Sequence, residues 1–497
     1  MKSKMLLWGN ALGFAVLTLM AAGETRPNVL FIVCDDLNTH VSTSGYEYIQ
    51  TPSFDRLAKS GMTFNRAYCQ YPVCNSSRTS FLHSLYPQSS GIVSNKTHIR
   101  DTRPGTVSMP EQFKASGYWT AAAGKVFHNK DADPGSKAWH EARWFENDEM
   151  PMVTPYREAF EKQHGSIEDR KNVRKWKEFY PTIATQTMGQ KPGYGPSGLR
   201  DEQHKDGKNA RQIVSWLENE SYGNKPFFMA MGIHKPHGPY LAPDAYFDMY
   251  PKNYLQLSPP PQGFWKQAPL EARVKRYEGF GFEFELENDA LRRVYMQAYH
   301  ACISFADAQI GLALDALERT GHSDDTIVVL ISDHGYQLGE HFMWGKVTLF
   351  EICNRVPMIV RVPGLTKAGS QSDGLVELVD LFPTLAELCG VSAPDHVQGR
   401  SIVPMLKDAS AKGKDVVYTV VVRGPNLGKA IRTQRWRYTK WSSGEELYDL
   451  DKDRAEHHNL AHSPEHIPIL ERMRKHLEER DAMAANAQNP NNAVEAL

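Results

Sequence analysis

Residues 29–36 read VLFIVCDD, an apolar run that ends in a cysteine and two adjacent aspartates. The same grammar returns in TIVVLISDHG (326–335), a β-branched run closed by an aspartate and a histidine. WTAAAG (119–124) leads into Lys125 and His128, FFMAMGI (227–233) into His234 and His237, and PMIVRV (357–362) into a Pro-Gly pair. Such runs are apolar on both faces, as strands covered on both sides must be, and helical patterns separate them. They predict an α/β fold, a large mostly parallel sheet sandwiched by helices. The strongest helical pattern spans about 289–319 and stops short of Gly321, which suits a C-terminal cap. Ligands of open α/β sheets gather at the carboxyl ends of the strands. Asp35, Asp36, Lys125, His128, His234, Asp333 and His334 all fall there.

After about residue 410 the texture changes. VVYTVVVRG, KAIRTQRWRYTKW and EELYDL read as short antiparallel strands, and a helical pattern follows near 463–483. This predicts a catalytic α/β domain over 24–410 and a smaller C-terminal α+β subdomain with an antiparallel sheet over 411–497, ending in a flexible tail. The stretch 129–205, rich in charge, Pro and Gly, reads as long insertions over the sheet.

The chain has 497 residues, 41% hydrophobic and 23% charged, with a formal net charge of −1. That balance provides for a sizeable core and gives no global electrostatic footprint for nucleic acid. Residues 1–23 carry Lys2 and Lys4, an apolar run and then Ala21-Ala22-Gly23, the order of a cleaved signal peptide. Export to a periplasmic or extracellular space is expected, with no membrane span after cleavage. Six cysteines are too sparse for a disulfide scaffold, and Cys34 and Cys302 lie in apolar patterns that suit core thiols.

Carboxylates converging at strand ends repel one another unless a cation neutralises them, and an oxygen-rich set favours Ca²⁺ or Mg²⁺ over Zn²⁺. Asp35, Asp36, Asp333 and His334 therefore form a candidate metal site. Arg78, Lys125 and Lys346, with His128 and His234, supply donors for a tetrahedral oxyanion such as sulfate or phosphate. Cys74 stands in PVCNSSRTSFL (72–82), four residues ahead of Arg78. On its own it reads as an ordinary buried thiol.

Taken together, RPNVLFIVCDDLN, TPSFDRLAKSGMTFNRAYCQYPVCNSSRTSFL, GKVFH, HKPH, ADAQIGLALDAL, ISDHGYQLGEHFMWGK, RVPMIVRVPG, LVDLFPTLAEL and ELYDLDKDRAEHHNL resemble the sulfatase family of the alkaline phosphatase superfamily. The likeness is particularly to the iduronate-2-sulfatases and their bacterial relatives, and it runs in family order from Pro27 to about Leu460. It implies that Cys74 is oxidised to formylglycine by a formylglycine-generating enzyme. In the family, one oxygen of the hydrated aldehyde attacks sulfur and releases the alcohol, and loss of a proton from the other then expels sulfate. The resemblance makes Arg78 the residue that holds this group. Asp35, Asp36, Asp333 and His334 become ligands of one Ca²⁺, with an oxygen of residue 74 completing the shell. Lys125 and Lys346 become sulfate-binding lysines, His128 a base at the diol, and His234 the acid for the leaving alcohol. The implied substrate is a sulfated carbohydrate, such as a 2-O-sulfated uronic acid.

Two departures stand out. Ser76 replaces the proline of the family's C-x-P-S-R motif, in the segment read by the modifying enzyme. His83-Ser84-Leu85 replaces the usual T-G-R, which removes a basic residue on the metal side. Two other readings use the same residues: a catalytically silent binder of sulfated glycans, and a phosphoester hydrolase on the same scaffold.

Overall fold

Along the first strand, Val29, Phe31 and Val33 face one side while Leu30, Ile32 and Cys34 face the other, and all six are fully buried. The two sets belong to separate apolar layers. A strand buried on both faces needs helices on both, and the structure supplies them. It is a computed structural model and describes residues 26–176, 178–179, 193–257, 263–274 and 289–486. The expected signal peptide (1–23) and the last residues of the tail (487–497) lie outside the described residues.

The main sheet has eight strands: β1 (Asn28–Asp35), β2 (Met62–Phe64), β3 (Trp119–Gly124), β4 (Glu141–Arg143), β5 (Phe227–Pro236), β6 (Thr326–Ser332), β7 (Met358–Arg361) and β8 (Ser370–Ser372). Their spatial order is β8-β2-β7-β6-β1-β5-β3-β4. Every neighbouring pair is parallel except those made by β7, which runs against both β6 and β2. The sheet is therefore mostly parallel, as the apolar runs predict.

Helices α1 (Pro52–Ser60), α2 (Cys74–His83), α3 (Lys205–Glu218), α4 (Asp289–Arg319) and α5 (Leu381–Leu388) cover it. Residues of α1, α3 and α4 pack on the face of Leu30 and Ile32. Residues of α2 and α5 pack on the face of Val29 and Phe31. The helix read at 289–319 has those bounds, and Gly321 takes φ 77° just beyond its end.

One expectation needs correction. The stretch 129–205 is not only insertion, because β4 lies inside it and pairs in parallel with β3 at the sheet edge. Three residues with no apolar pattern gave no signal for a strand. All six cysteines are free and buried. Among the described residues no helix is long and apolar enough to cross a membrane.

Strands β9 (Val417–Arg423), β10 (Asn426–Arg432), β11 (Trp436–Lys440) and β12 (Glu445–Asp449) form a four-stranded antiparallel sheet, followed by helix α6 (Ile467–Ala485). Its apolar face is continuous with Tyr71 and Val73, which immediately precede α2, and with Phe350. The C-terminal sheet thus packs directly on segments that lead into the candidate site.

Candidate active site

Helix α2 begins at Cys74, after an extended Val73 at φ −146° and ψ 136°. The first turn of a helix presents unpaired N–H groups and a positive dipole end, which favour an anionic side chain there. Arg78 follows one turn later on the same side of the helix. Its Nε donates to Asp333 Oδ2 at 3.0 Å, and its Nη1 donates to the carbonyls of Val126, at 3.0 Å, and Lys125. Its Nη2 lies 3.4 Å from Asp35 Oδ1. Arg78 is 1% exposed, so this guanidinium ties the ends of β1, β3 and β6 to helix α2 without screening by water.

The helix ends at Ser84, which takes φ 53°, a left-handed conformation that favours glycine. Ser84 Oγ donates to the Val379 carbonyl at 2.6 Å and accepts from Gly399 N at 2.9 Å. This sequence therefore holds by side-chain hydrogen bonds a turn in which the family motif has glycine.

Asp35 ends β1 and Asp36 follows it, and Asp333 and His334 follow β6. The Asp36 N–H donates to Asp333 Oδ1 at 3.1 Å. Asp36 has φ 66°, and this strained turn is held by Tyr299 of α4, whose hydroxyl donates to the Asp36 carbonyl at 2.5 Å and accepts from Asn38 N at 3.0 Å. His334 donates from Nδ1 to the Gly335 carbonyl at 3.0 Å. Its Nε2 then faces Asp36 Oδ1 at 3.4 Å, Cys74 Sγ at 3.5 Å and Asp333 Oδ1 at 3.6 Å.

Lys125 extends from β3 to Asp35 Oδ2, and Lys346 reaches Asp36 Oδ1 and lies 3.0 Å from Cys74 Sγ. The ends of β3 and β5 must approach closely beneath Lys125. A Cβ on Gly124 would meet the Gly232 carbonyl oxygen at 2.2 Å, and one on Gly232 would meet the Lys125 backbone at 2.1 Å. His128 acts on Cys74 and favours its thiolate. Three buried cations and three buried carboxylates thus surround one sulfur atom.

The electrostatics follow from that count. Burial alone would lift the Cys74 thiol, and Asp35 adds to the lift, but Lys125, Lys346 and His128 outweigh both and hold it well below its ordinary range. Burial likewise opposes charge on Asp35, and Lys125, His237, Arg78 and Lys346 overcome it, leaving that carboxyl well below the usual range. Asp333 moves the other way, driven up mainly by burial. Burial also opposes a charge on His334, but the adjoining Asp333 lifts it to about 9.

The carboxylate oxygens of Asp35, Asp36 and Asp333 suit a hard cation, and the Cys74 position would suit one once its sulfur is replaced by oxygen. Asp35, Cys74, Asp333 and His334 offer ligand atoms within 4.8 Å of one another. Asp35 Oδ1 is fully buried and, beyond its 3.4 Å approach to Arg78 Nη2, accepts no hydrogen bond among the described residues. A carboxylate oxygen left in that state is suited to a metal ion.

The structure brings together Asp35, Asp36, Cys74, Arg78, Lys125, His128, Asp333, His334 and Lys346. His234 lies at the end of β5, close enough for Lys125 and Asp35 to act on it. Burial first, then Lys205 and Lys125, push its pKa well below the ordinary value. His237 comes closer still. Its ring lies 5.0 Å from that of His234, and it offers a nitrogen within 4.8 Å of the ligand atoms of Asp35, Asp36 and Cys74. The pattern HKPH contains both histidines and does not rank them. Asp206 is a further residue without a sequence signal. Fully buried at the start of α3, it accepts from His234 N at 2.8 Å and Lys235 N at 2.9 Å, fixing the backbone that carries both histidines.

Comparison with known proteins places this arrangement. The sulfatase family profile matches residues 27–391, and the profile described as "N-sulphoglucosamine sulphohydrolase, C-terminal" matches 339–483. A sulfatase of Formosa agariphila is 31% identical over 88% of this chain and 83% of its own. Iduronate 2-sulfatase of Mus musculus is 27% identical over 90% and 93%. A solved protein in complex with its substrate D-glucosamine-2-N,6-O-disulfate superposes with a TM-score of 0.71 at 22% identity, covering 93% of this chain and 98% of that one. A phosphonate monoester hydrolase from Silicibacter pomeroyi gives 0.72 at 23%, covering 92% and 96%. The chain belongs to the sulfatase family, within the alkaline phosphatase superfamily. It is an enzyme of the sulfuric ester hydrolase class.

Proposed function

We propose that the enzyme removes sulfate from a sulfated sugar or polysaccharide unit, with Cys74 matured to formylglycine and one Ca²⁺ held by Asp35, Asp36, Asp333, His334 and an oxygen of residue 74. One observation carries this reading: Lys125, His128, His334 and Lys346 all converge on Cys74 at the head of a helix. When present, the matured residue supplies a hydrated aldehyde oxygen as nucleophile and Ca²⁺ supplies charge stabilisation beside it.

The chain's own residues do the rest. Arg78 anchors the first turn of α2 and keeps Asp333 and Asp35 in place. Lys125 and Lys346 bind the sulfate oxygens and are already desolvated, each 8% exposed, so their charge acts with little screening. His128 takes a proton at the nucleophile. His234 gives one to the leaving sugar oxygen, and Asp206 holds it in place. His237 stands beside residue 74 and orients the group formed there.

The sugar is supported by relatives named iduronate 2-sulfatase, N-acetylglucosamine-6-O-sulfatase and ulvan-active sulfatase. Secretion to the periplasm or exterior, with cleavage near Gly23, accompanies the reading. A panel of defined sulfated oligosaccharides, assayed beside aryl sulfate and aryl phosphate esters, tests it. Release of sulfate from at least one sugar ester, far above phosphate release, is expected. Preferential phosphate release would favour a phosphoester hydrolase, and binding without turnover a silent glycan binder.

A further inference from the structure

Lys346 sits in an unusually strained loop. Gly339, His341, Phe342, Gly345 and Val347 all have positive φ, at 105°, 54°, 59°, 137° and 71°, and three of them carry side chains. Such conformations persist only where surrounding structure over-determines them. Part of the restraint comes from the C-terminal subdomain, and Glu456 is its centre.

Glu456 is 2% exposed and itself has φ 58°. Its backbone carbonyl accepts from His341 Nε2 at 3.1 Å, at one end of the loop. Its Oε2 accepts from Glu351 N at 2.8 Å, at the other end. Its Oε1 pairs with Arg437, which is equally buried and whose guanidinium lies 5.0 Å from the centroid of the Phe350 ring. The His341 ring stacks on that same phenyl at 4.0 Å. Arg423 of β9 adds a bond to the Val347 carbonyl, next to Lys346 itself.

We infer that Glu456 is a positioning residue for Lys346, clasping both ends of residues 341–351 so that its ammonium stays at Cys74 and Asp36. The C-terminal subdomain is then part of the anion site although it contributes no group that touches the anion. The inference rests on the reading of Lys346 as a sulfate-binding lysine.

Two measurements on the full-length protein test it, with inorganic sulfate as the probe. Amide hydrogen exchange across 341–351 reports the clasp without reference to function. Sulfate affinity by calorimetry reports its consequence. Glu456→Ala should accelerate exchange in that peptide and weaken sulfate binding about five- to tenfold, the loss of one or two hydrogen bonds' worth of restraint. Glu456→Gln keeps the carbonyl and one of the two Oε acceptors, loses the charge opposite Arg437, and should fall between wild type and Glu456→Ala. His341→Phe keeps the stack on Phe350, cuts the other bond, and serves if Glu456→Ala does not fold. On a Lys346→Ala background, Glu456→Ala should cause no further loss of sulfate affinity. Additive losses, or unchanged exchange at 341–351, overturn the inference. Wild-type protein that binds no sulfate while exchange at 341–351 still responds to Glu456 overturns the reading of Lys346 and leaves the clasp standing.

Discussion

Lys346 Nζ lies 3.0 Å from Cys74 Sγ and pairs at the same time with Asp36 Oδ1. One ammonium thus bridges Cys74 and a candidate metal ligand, although the three residues are far apart in sequence. Lys346→Met should raise KM for a sulfate ester at least tenfold, because a buried charge-assisted contact is worth about 1.5–3 kcal/mol. In unmodified protein the same change should raise the Cys74 thiol pKa, read as thiolate absorbance against pH. An unshifted thiol titration would contradict the contact.

The histidines should separate by leaving group. His234→Ala should be partly rescued by nitrophenyl sulfate, whose leaving group needs no proton, whereas His128→Ala and His237→Ala should lose activity on activated and unactivated esters alike. The pH profiles carry a sign. Burial, Lys205 and Lys125 depress His234 in the free enzyme, so as an acid it loses its proton early as pH rises. A bound anion beside it favours the protonated form, so the basic limb of kcat should lie at higher pH than that of kcat/KM. Coincident limbs, or equal losses for all three variants on both ester types, would count against these roles.

Apolar runs made the strand ends legible, since residues 29–33 and 326–332 must be buried on both faces and the polar residues that follow them must emerge together. The span of α4 was legible for the same local reason. The antiparallel course of β7 was not, because periodicity carries no direction, nor was β4, whose three residues have no pattern. His237 was visible in HKPH, but its rank over His234 depends on how the turn after β5 folds back. Asp206, Tyr299 and Glu456 were illegible because each acts on a backbone group well removed in sequence, which spacing does not encode.

Glu377 gives a pH-dependent stability. Fully buried, it accepts from Tyr86 Oη at 2.5 Å, Lys414 Nζ at 2.5 Å and Arg480 Nη2 at 2.9 Å, tying α6 to the main domain. Burial opposes its charge, but Lys414 and Arg480 prevail and bring its pKa to about 2. A folded-state pKa below the unfolded value gives stability that is fully present above the ordinary carboxylate range and lost as pH falls towards 2. Glu377→Gln should therefore lower Tm at pH 7, with a deficit on the order of 3 kcal/mol that shrinks between about pH 5 and pH 2. A deficit constant across that window would show that the carboxylate charge is not what stabilises.

Ser76 decides the last prediction. Cys74 is 1% exposed and Ser76 is fully buried, so a modifying enzyme reaches this segment only before it folds. In the unfolded chain a proline at 76 would restrict its own φ and the conformation of Asn75. Serine reaches the same shape at an entropic cost of roughly 0.4–1 kcal/mol, a several-fold effect. Formylglycine should therefore form in the native host at a reduced fraction, and Ser76→Pro should raise both that fraction and activity in parallel. In the folded protein Ser76 occupies the third position of α2, and its Oγ has no hydrogen-bond partner among the described residues. An unsatisfied buried hydroxyl costs about 1–3 kcal/mol, so Ser76→Ala should raise Tm without raising the modified fraction. The two substitutions thus separate an effect on the unfolded chain from one on the folded state. Mass spectrometry of the peptide containing residue 74, beside the Tm of each variant, reads both. Cys74→Ala should be inactive throughout. Native-host protein carrying only unmodified thiol would defeat the prediction and leave a silent glycan binder as the better reading.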